Sequence, residues 1–110
     1  MATPDDIATV TYFLVLLRPG PRHSEVARFA DGHVEHIDAM AARGVVLLGG
    51  DFVGGIGVIE GAYLLHSRTQ PEAAVWAERD PFVREGVFTY EIVPWELVGI
   101  EPTAIDPAFR

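Results

Sequence analysis

The spacing of apolar positions changes along this chain, and each change marks an element. Val10 to Arg18 is apolar at both parities, with Val10, Tyr12, Leu14 and Leu16 on one side and Phe13, Val15 and Leu17 on the other. That pattern predicts a central strand covered on both faces. Pro19-Gly20-Pro21 ends it. Ser24 is a suitable N-cap for a helix running to about Arg43, along which Val26, Phe29, Ala30, Val34, Ile37, Met40 and Ala41 form one apolar stripe. Gly32 interrupts the stripe at a cost of about 1 kcal/mol against alanine. A kink, or a second helix capped by Asp31, is open there. Gly44 suits the position after the helix end.

Val45 to Leu48 reads as a second strand, and Val58 to Ser67 as a third. Gly49-Gly50-Asp51 and Gly54-Gly55-Ile56-Gly57 mark a bend and a hairpin loop between them. Gly61 inside the third strand points to a bulge or a tight contact. Thr69 and Glu72 match a capping box before a helix over Ala73 to Arg79, with Pro71 in its first turn. Asp80-Pro81-Phe82 opens a further short turn or helix up to Gly86, and Val87 to Trp95 alternates as a last strand. Residues 1–9 read as a flexible tail, residues 10–99 as one domain, and residues 100–110 as a C-terminal tail of that domain.

The order βαββαβ, with right-handed crossovers, predicts an α+β, ferredoxin-like fold: a four-stranded antiparallel sheet with both helices on one face. The helices then leave the second sheet face, also apolar, needing a cover. A second copy of the same sheet is the simplest one, which predicts a homodimer, although the C-terminal tail is an alternative cover.

Composition narrows the function. The chain has 110 residues, about one domain's worth. It carries a net charge of −8 and has no lysine, so nucleic acid and anionic membranes are not its expected partners. No apolar run approaches the roughly 20 residues that cross a bilayer. The acidic start, Asp5-Asp6, does not suit a signal peptide, and a cytoplasmic location is the default expectation. Without cysteine there is neither a disulfide nor a thiolate nucleophile.

Chemistry must come from His23, His33, His36 or His66 and the carboxylates. Neither Ser24 nor Ser67 sits in a Gly-x-Ser-x-Gly elbow. Gly54-Gly55-Ile56-Gly57 lacks the spacing and the following helix of a phosphate-binding loop. His33 and His36 are three apart on a helix and can share a face, but spacing places no third ligand, so no metal site is assigned. His23, after the Pro-Gly-Pro loop, reads as solvated, and His66, at a strand end, as structural.

Three stretches together resemble the YCII-related family. These are His33-Val34-Glu35-His36-Ile37 through Arg43-Gly44 to Val45–Gly50, Asp80-Pro81-Phe82-Val83-Arg84-Glu85-Gly86-Val87, and Ile92-Val93-Pro94-Trp95. The likeness runs from residue 11 to about 97. It implies a dimeric α/β barrel of the ferredoxin-like type with a cleft holding a His–Asp pair, which here would be His33 and Asp80. These lie 47 positions apart, and spacing alone does not join them. Related members include dehydrochlorinases and chloromuconolactone dehalogenases. Many members carry an arginine three residues before the histidine. That position is Ala30 here, leaving Arg28 or Arg22 to reach for an anion. Many also have proline after the glycine of the second strand, where this chain has Asp51, a further carboxylate near the cleft.

A histidine with an aspartate that fixes its tautomer suits proton abstraction beside a carbonyl, followed by halide loss or a proton shift. The expected activity is therefore lyase-like or isomerase-like, on a small halogenated or lactone-type molecule, with no metal or organic cofactor implied. Arg28, Asp51, Tyr12 and Tyr90 are the candidate substrate-binding residues. Two rival readings stand beside this one: a non-catalytic ligand-binding or accessory domain, and a cofactor-free monooxygenase or haem-binding relative. The ordinary structural alternatives are that Asp80 only caps a helix and that His33 is a core histidine.

Overall fold

The computed structural model describes residues 10–99; the two predicted tails, 1–9 and 100–110, lie outside the described residues. Four strands and three helices follow in order: β1 (Val10–Pro19), α1 (Val26–Ala42), β2 (Val46–Ile56), β3 (Ile59–Leu65), α2 (Gln70–Glu78), α3 (Pro81–Arg84) and β4 (Phe88–Leu97). The sheet order is β2-β3-β1-β4, and every pairing is antiparallel. This is the ferredoxin-like arrangement, with β1 central between β3 and β4.

Strand parity separates the two faces. Phe13, Val15 and Leu17 of β1 join Tyr63 and Leu65 of β3, Phe88 of β4 and Val46 of β2 in one buried cluster. Met40 of α1, Ala73 and Ala77 of α2, and Phe82 of α3 close that cluster from the same side. Burying each large apolar side chain in it contributes about 1.5–3 kcal/mol. The opposite parity, Tyr12, Leu64 and Leu97 with Leu14 and Leu47, forms a smaller second cluster. β1 is thus apolar on both sides, as its two-sided pattern requires.

Local chemistry explains the helix ends. A short 3-10 turn, His23–Glu25, precedes α1, so Ser24 lies inside that turn and is not the cap expected of it. Glu25 occupies the cap position without a side-chain capping bond. Helix α1 then runs through Gly32 to Ala42 as one helix, with no second helix capped by Asp31. Arg43 and Gly44 end it in a Schellman motif: the N–H of Gly44 donates to Ala41 O (3.0 Å) and that of Val45 to Met40 O (2.8 Å). Gly44 has the positive φ of 74° that this motif demands. Gly86 repeats the device after α3, with φ of 75° and Val87 N donating to Phe82 O at 2.9 Å. Thr69 caps α2 by accepting from the Glu72 N–H at 3.2 Å.

Strand β2 is longer than its sequence suggests. Gly49, Gly50 and Asp51 continue the ladder opposite Tyr63, Ala62 and Gly61. The glycines read as punctuation, yet a ladder needs only backbone N–H and C=O groups. At Gly49 the missing side chain is required, because a Cβ there would lie 2.7 Å from that of Tyr63. Gly61 is likewise pressed against the backbone of Gly50, confirming the tight contact expected of it. Among the described residues, no helix is long and apolar enough to cross a membrane.

Candidate active site

The joint between α1 and the Asp-Pro turn is where sequence-distant residues meet. A Cβ at Gly32 would lie 3.2 Å from Pro81 Cγ, so the glycine lets α1 settle closely against the start of α3. The next residue, His33, then places Nδ1 2.8 Å from Asp80 Oδ2. The other carboxylate oxygen, Oδ1, accepts from the Phe82 N–H at 2.9 Å, so Asp80 is also the N-cap of α3. Its side chain is 0% exposed, and both bonds offset the desolvation of a buried carboxylate. The cap and the histidine partner are one residue serving both roles.

A carboxylate only accepts, so His33 donates through Nδ1–H, and in the neutral ring Nε2 then carries the lone pair. The ring is held in place by stacking on Phe82, with centroids 4.3 Å apart and planes 17° from parallel. Its side chain remains 20% exposed and lines a cleft of about 740 Å³ between α1 and the sheet. Nε2 has no hydrogen-bond partner among the described residues. The cleft is walled by apolar residues, including Leu17, Ala30, Ile37, Phe52, Phe82 and Phe88. A volume of this order accommodates a small ring compound.

The remaining sequence candidates are scattered. Asp51 lines the same cleft, from β2. Arg28 does not reach it: its side chain is 68% exposed, pairs with Glu25 at 3.0 Å and lies over the Phe29 ring. Arg22 is held by the same glutamate at 2.6 Å and by Glu85 O. Hydrogen bonds from Arg22 and then Arg28 hold the Glu25 carboxyl below the usual range. Tyr12 belongs to the cluster on the opposite sheet face, its ring 5.3 Å from that of His66. Tyr90 donates to Glu78 beside a separate shallow groove that it lines with Gln70 and Ala74.

The other histidines are occupied elsewhere. His36 bonds to Trp76 O at 3.0 Å, joining α1 to α2. His23 is half-buried against Phe88 and paired with Glu60 at 2.9 Å, so it is less solvated than its loop suggests. Among the described residues, no group of three or more potential metal ligands occurs.

Sequence reasoning missed three polar cleft residues, Tyr63, Asp38 and Glu60. Tyr63 is 3% exposed, and its hydroxyl has no hydrogen-bond partner among the described residues. Burial, and then the charges of Asp80 and Tyr90, push its hydroxyl pKa up. Asp38, on α1, lines the cleft beside Val34 and Ile37. Tyr63 resembles any core tyrosine on an alternating strand. Asp38 had one usable signal, its place four residues after Val34, in step with the apolar stripe.

A ferredoxin-like α+β domain with a buried carboxylate holding a histidine at a cleft is the class these observations define. The chain belongs to the YCII-related family, whose domain profile matches residues 11–96. No curated protein matches it. Among solved structures it is similar to 5-chloro-2-hydroxyhydroquinone dehydrochlorinase (TftG) from Burkholderia phenoliruptrix AC1100, in complex with 2,5-dihydroxybenzoquinone. The two share 20% identity at a TM-score of 0.61, over 76% of this chain and 92% of that one. At that identity the likeness establishes the fold.

Proposed function

We propose that this protein is a small-molecule enzyme in which His33 moves a proton and Asp80 positions it. The observation that carries this reading is the 2.8 Å bond from Nδ1 to a fully buried carboxylate, with Nε2 left without a partner among the described residues on a ring that lines the cleft. In the reaction, Nε2 takes a proton from a carbon beside a carbonyl of the substrate. The C–H electron pair then forms a carbon–carbon double bond as halide leaves with its own pair from the neighbouring carbon. In an isomerase, the proton returns at another position. The imidazolium formed is stabilised by Asp80, and such acid–base help is worth about 10²–10⁴-fold. Dehydrochlorination by the solved relative, and its quinone ligand, support a ring substrate.

The homodimer belongs to this proposal. The second sheet face pairs Trp95 with Tyr12 and Leu48 with Leu64, and it keeps Leu48 and Trp95 exposed. An apolar surface of this kind suits a second copy. Light scattering at a twofold protomer mass is the expected result.

A second reading has its own observation. Because Asp80 also caps α3, the pair has a structural use without any turnover, as a ligand-binding or accessory domain would need. His33→Asn separates the two readings. An enzyme loses about 10²-fold or more in turnover of a halogenated ring substrate and keeps its thermal midpoint. A binding domain shows no turnover in either form and changes only in stability or ligand affinity.

A further inference from the structure

The charges facing the cleft are one-sided. Asp38, Asp51 and Glu60 line it together with His33, and among the described residues no arginine does; the chain has no lysine. The two arginines that the sequence offered as anion-binding candidates, Arg22 and Arg28, are both committed to Glu25. His33 does not reverse the balance. Protonated, it forms a neutral pair with Asp80; neutral, it leaves that pair with a negative charge. The same holds for His23 with Glu60, 2.9 Å apart. The side chains of Asp38 and Asp51 have no hydrogen-bond or ion-pair partner among the described residues, so two carboxylates stay unmatched whichever way the histidines titrate.

We propose that the cleft selects uncharged or cationic ring compounds and rejects carboxylates and phosphates, with Asp38 and Asp51 as the residues that set this specificity. The inference rests on the cleft being the substrate site, and it narrows the substrate to ring compounds without a carboxylate or phosphate group. The aromatic wall of Phe52, Phe82 and Phe88 suits a ring, and a cation gains further from ring faces. Asp38 and Asp51 are both solvent-exposed, so an anion in the cleft would meet a repulsion that salt screens.

The test is a titration of isotopically labelled protein with three probes of one size: benzylamine, benzyl alcohol and benzoate. Backbone amides of Gly49, Gly50 and Gly61 report binding. Benzylamine and benzyl alcohol are expected to bind at least about tenfold more tightly than benzoate at low salt, with the gap narrowing at about 1 M salt as screening shortens to a few ångströms. In Asp38→Asn/Asp51→Asn, checked for an unchanged amide spectrum, benzoate should approach benzyl alcohol. Equal affinities, a preference for benzoate, or an unchanged gap in the double variant would overturn the proposal, as would a cleft whose amides respond to none of the probes. The proton-transfer reading fails separately, on the ligand-free tautomer of His33, which none of these probes decides.

Discussion

Gly32 lies where a side chain would press on Pro81, with 3.2 Å between the position of its absent Cβ and Pro81 Cγ. The contact couples α1 to the turn that carries Asp80, one residue from each member of the dyad. Gly32→Ala sets two effects against each other. The helix gains about 1 kcal/mol from alanine, while Pro81 must give way by a few tenths of an ångström. Net stability is expected to change by no more than about 1 kcal/mol. The His33–Asp80 bond, in contrast, should weaken. Nitrogen chemical shifts of His33 should then show a smaller preference for the Nδ1–H tautomer, and a shift pattern identical to wild type would show that the joint is not what sets the dyad.

Asp80 is better tested by two substitutions than by one. Asp80→Asn can still accept from Phe82 N–H, but its amide can donate to His33 Nδ1, which moves the ring proton to Nε2. The variant should fold, with the opposite histidine tautomer and turnover reduced by about 10²-fold or more. Asp80→Ala loses the cap, about 1 kcal/mol, and also leaves the ring N–H of His33 unpaired, about 1–3 kcal/mol. Urea denaturation should therefore rank wild type above Asn and Asn above Ala. An unchanged tautomer in Asp80→Asn would remove the dyad from the mechanism.

The fold was legible where side-chain periodicity dominates. The two-sided apolar run of β1 marked it as central, and Thr69-x-x-Glu72 located the cap of α2. The glycine-rich half of β2 was not legible, because its pairing uses backbone alone and demands the absence of a side chain at Gly49. His33 and Asp80 were joined through resemblance to a family, since 47 positions of chain separate them and the packing at Gly32 leaves no local pattern. Tyr12 and Tyr90 share a residue type suited to ligand contact, but strand parity sends Tyr12 to the other face and Glu78 engages Tyr90. Residue type suggested chemistry, and only register decided the side.

Alkaline conditions should weaken the tie between α2 and β4. The hydrogen bond from Tyr90 to Glu78, then burial and the glutamate's charge, push the Tyr90 hydroxyl up to about 12 from its ordinary 10.0. Below pH 10.0 both folded and unfolded chains hold this proton, and the stabilisation is fully present. Between 10.0 and about 12 the unfolded chain loses the proton first, so the contribution falls as pH rises. The stability difference between wild type and Tyr90→Phe should shrink across that window. Ultraviolet phenolate absorbance should show one fewer late-titrating tyrosine in the variant. A difference independent of pH would show that the Tyr90–Glu78 bond contributes nothing in solution.

Removing a polar atom should strengthen this core. The Tyr63 hydroxyl is buried, with no hydrogen-bond partner among the described residues. A buried hydroxyl without a bond costs about 1–3 kcal/mol. Tyr63→Phe keeps the ring, so it opens no large cavity, and it should raise stability by about 1 kcal/mol. The urea midpoint should move up while the slope stays the same. A loss of similar size would mean that the hydroxyl is satisfied in solution by water entering from the cleft that Tyr63 lines. The cleft would then be wet down to its floor, and a substrate ring would have to displace that water to reach His33.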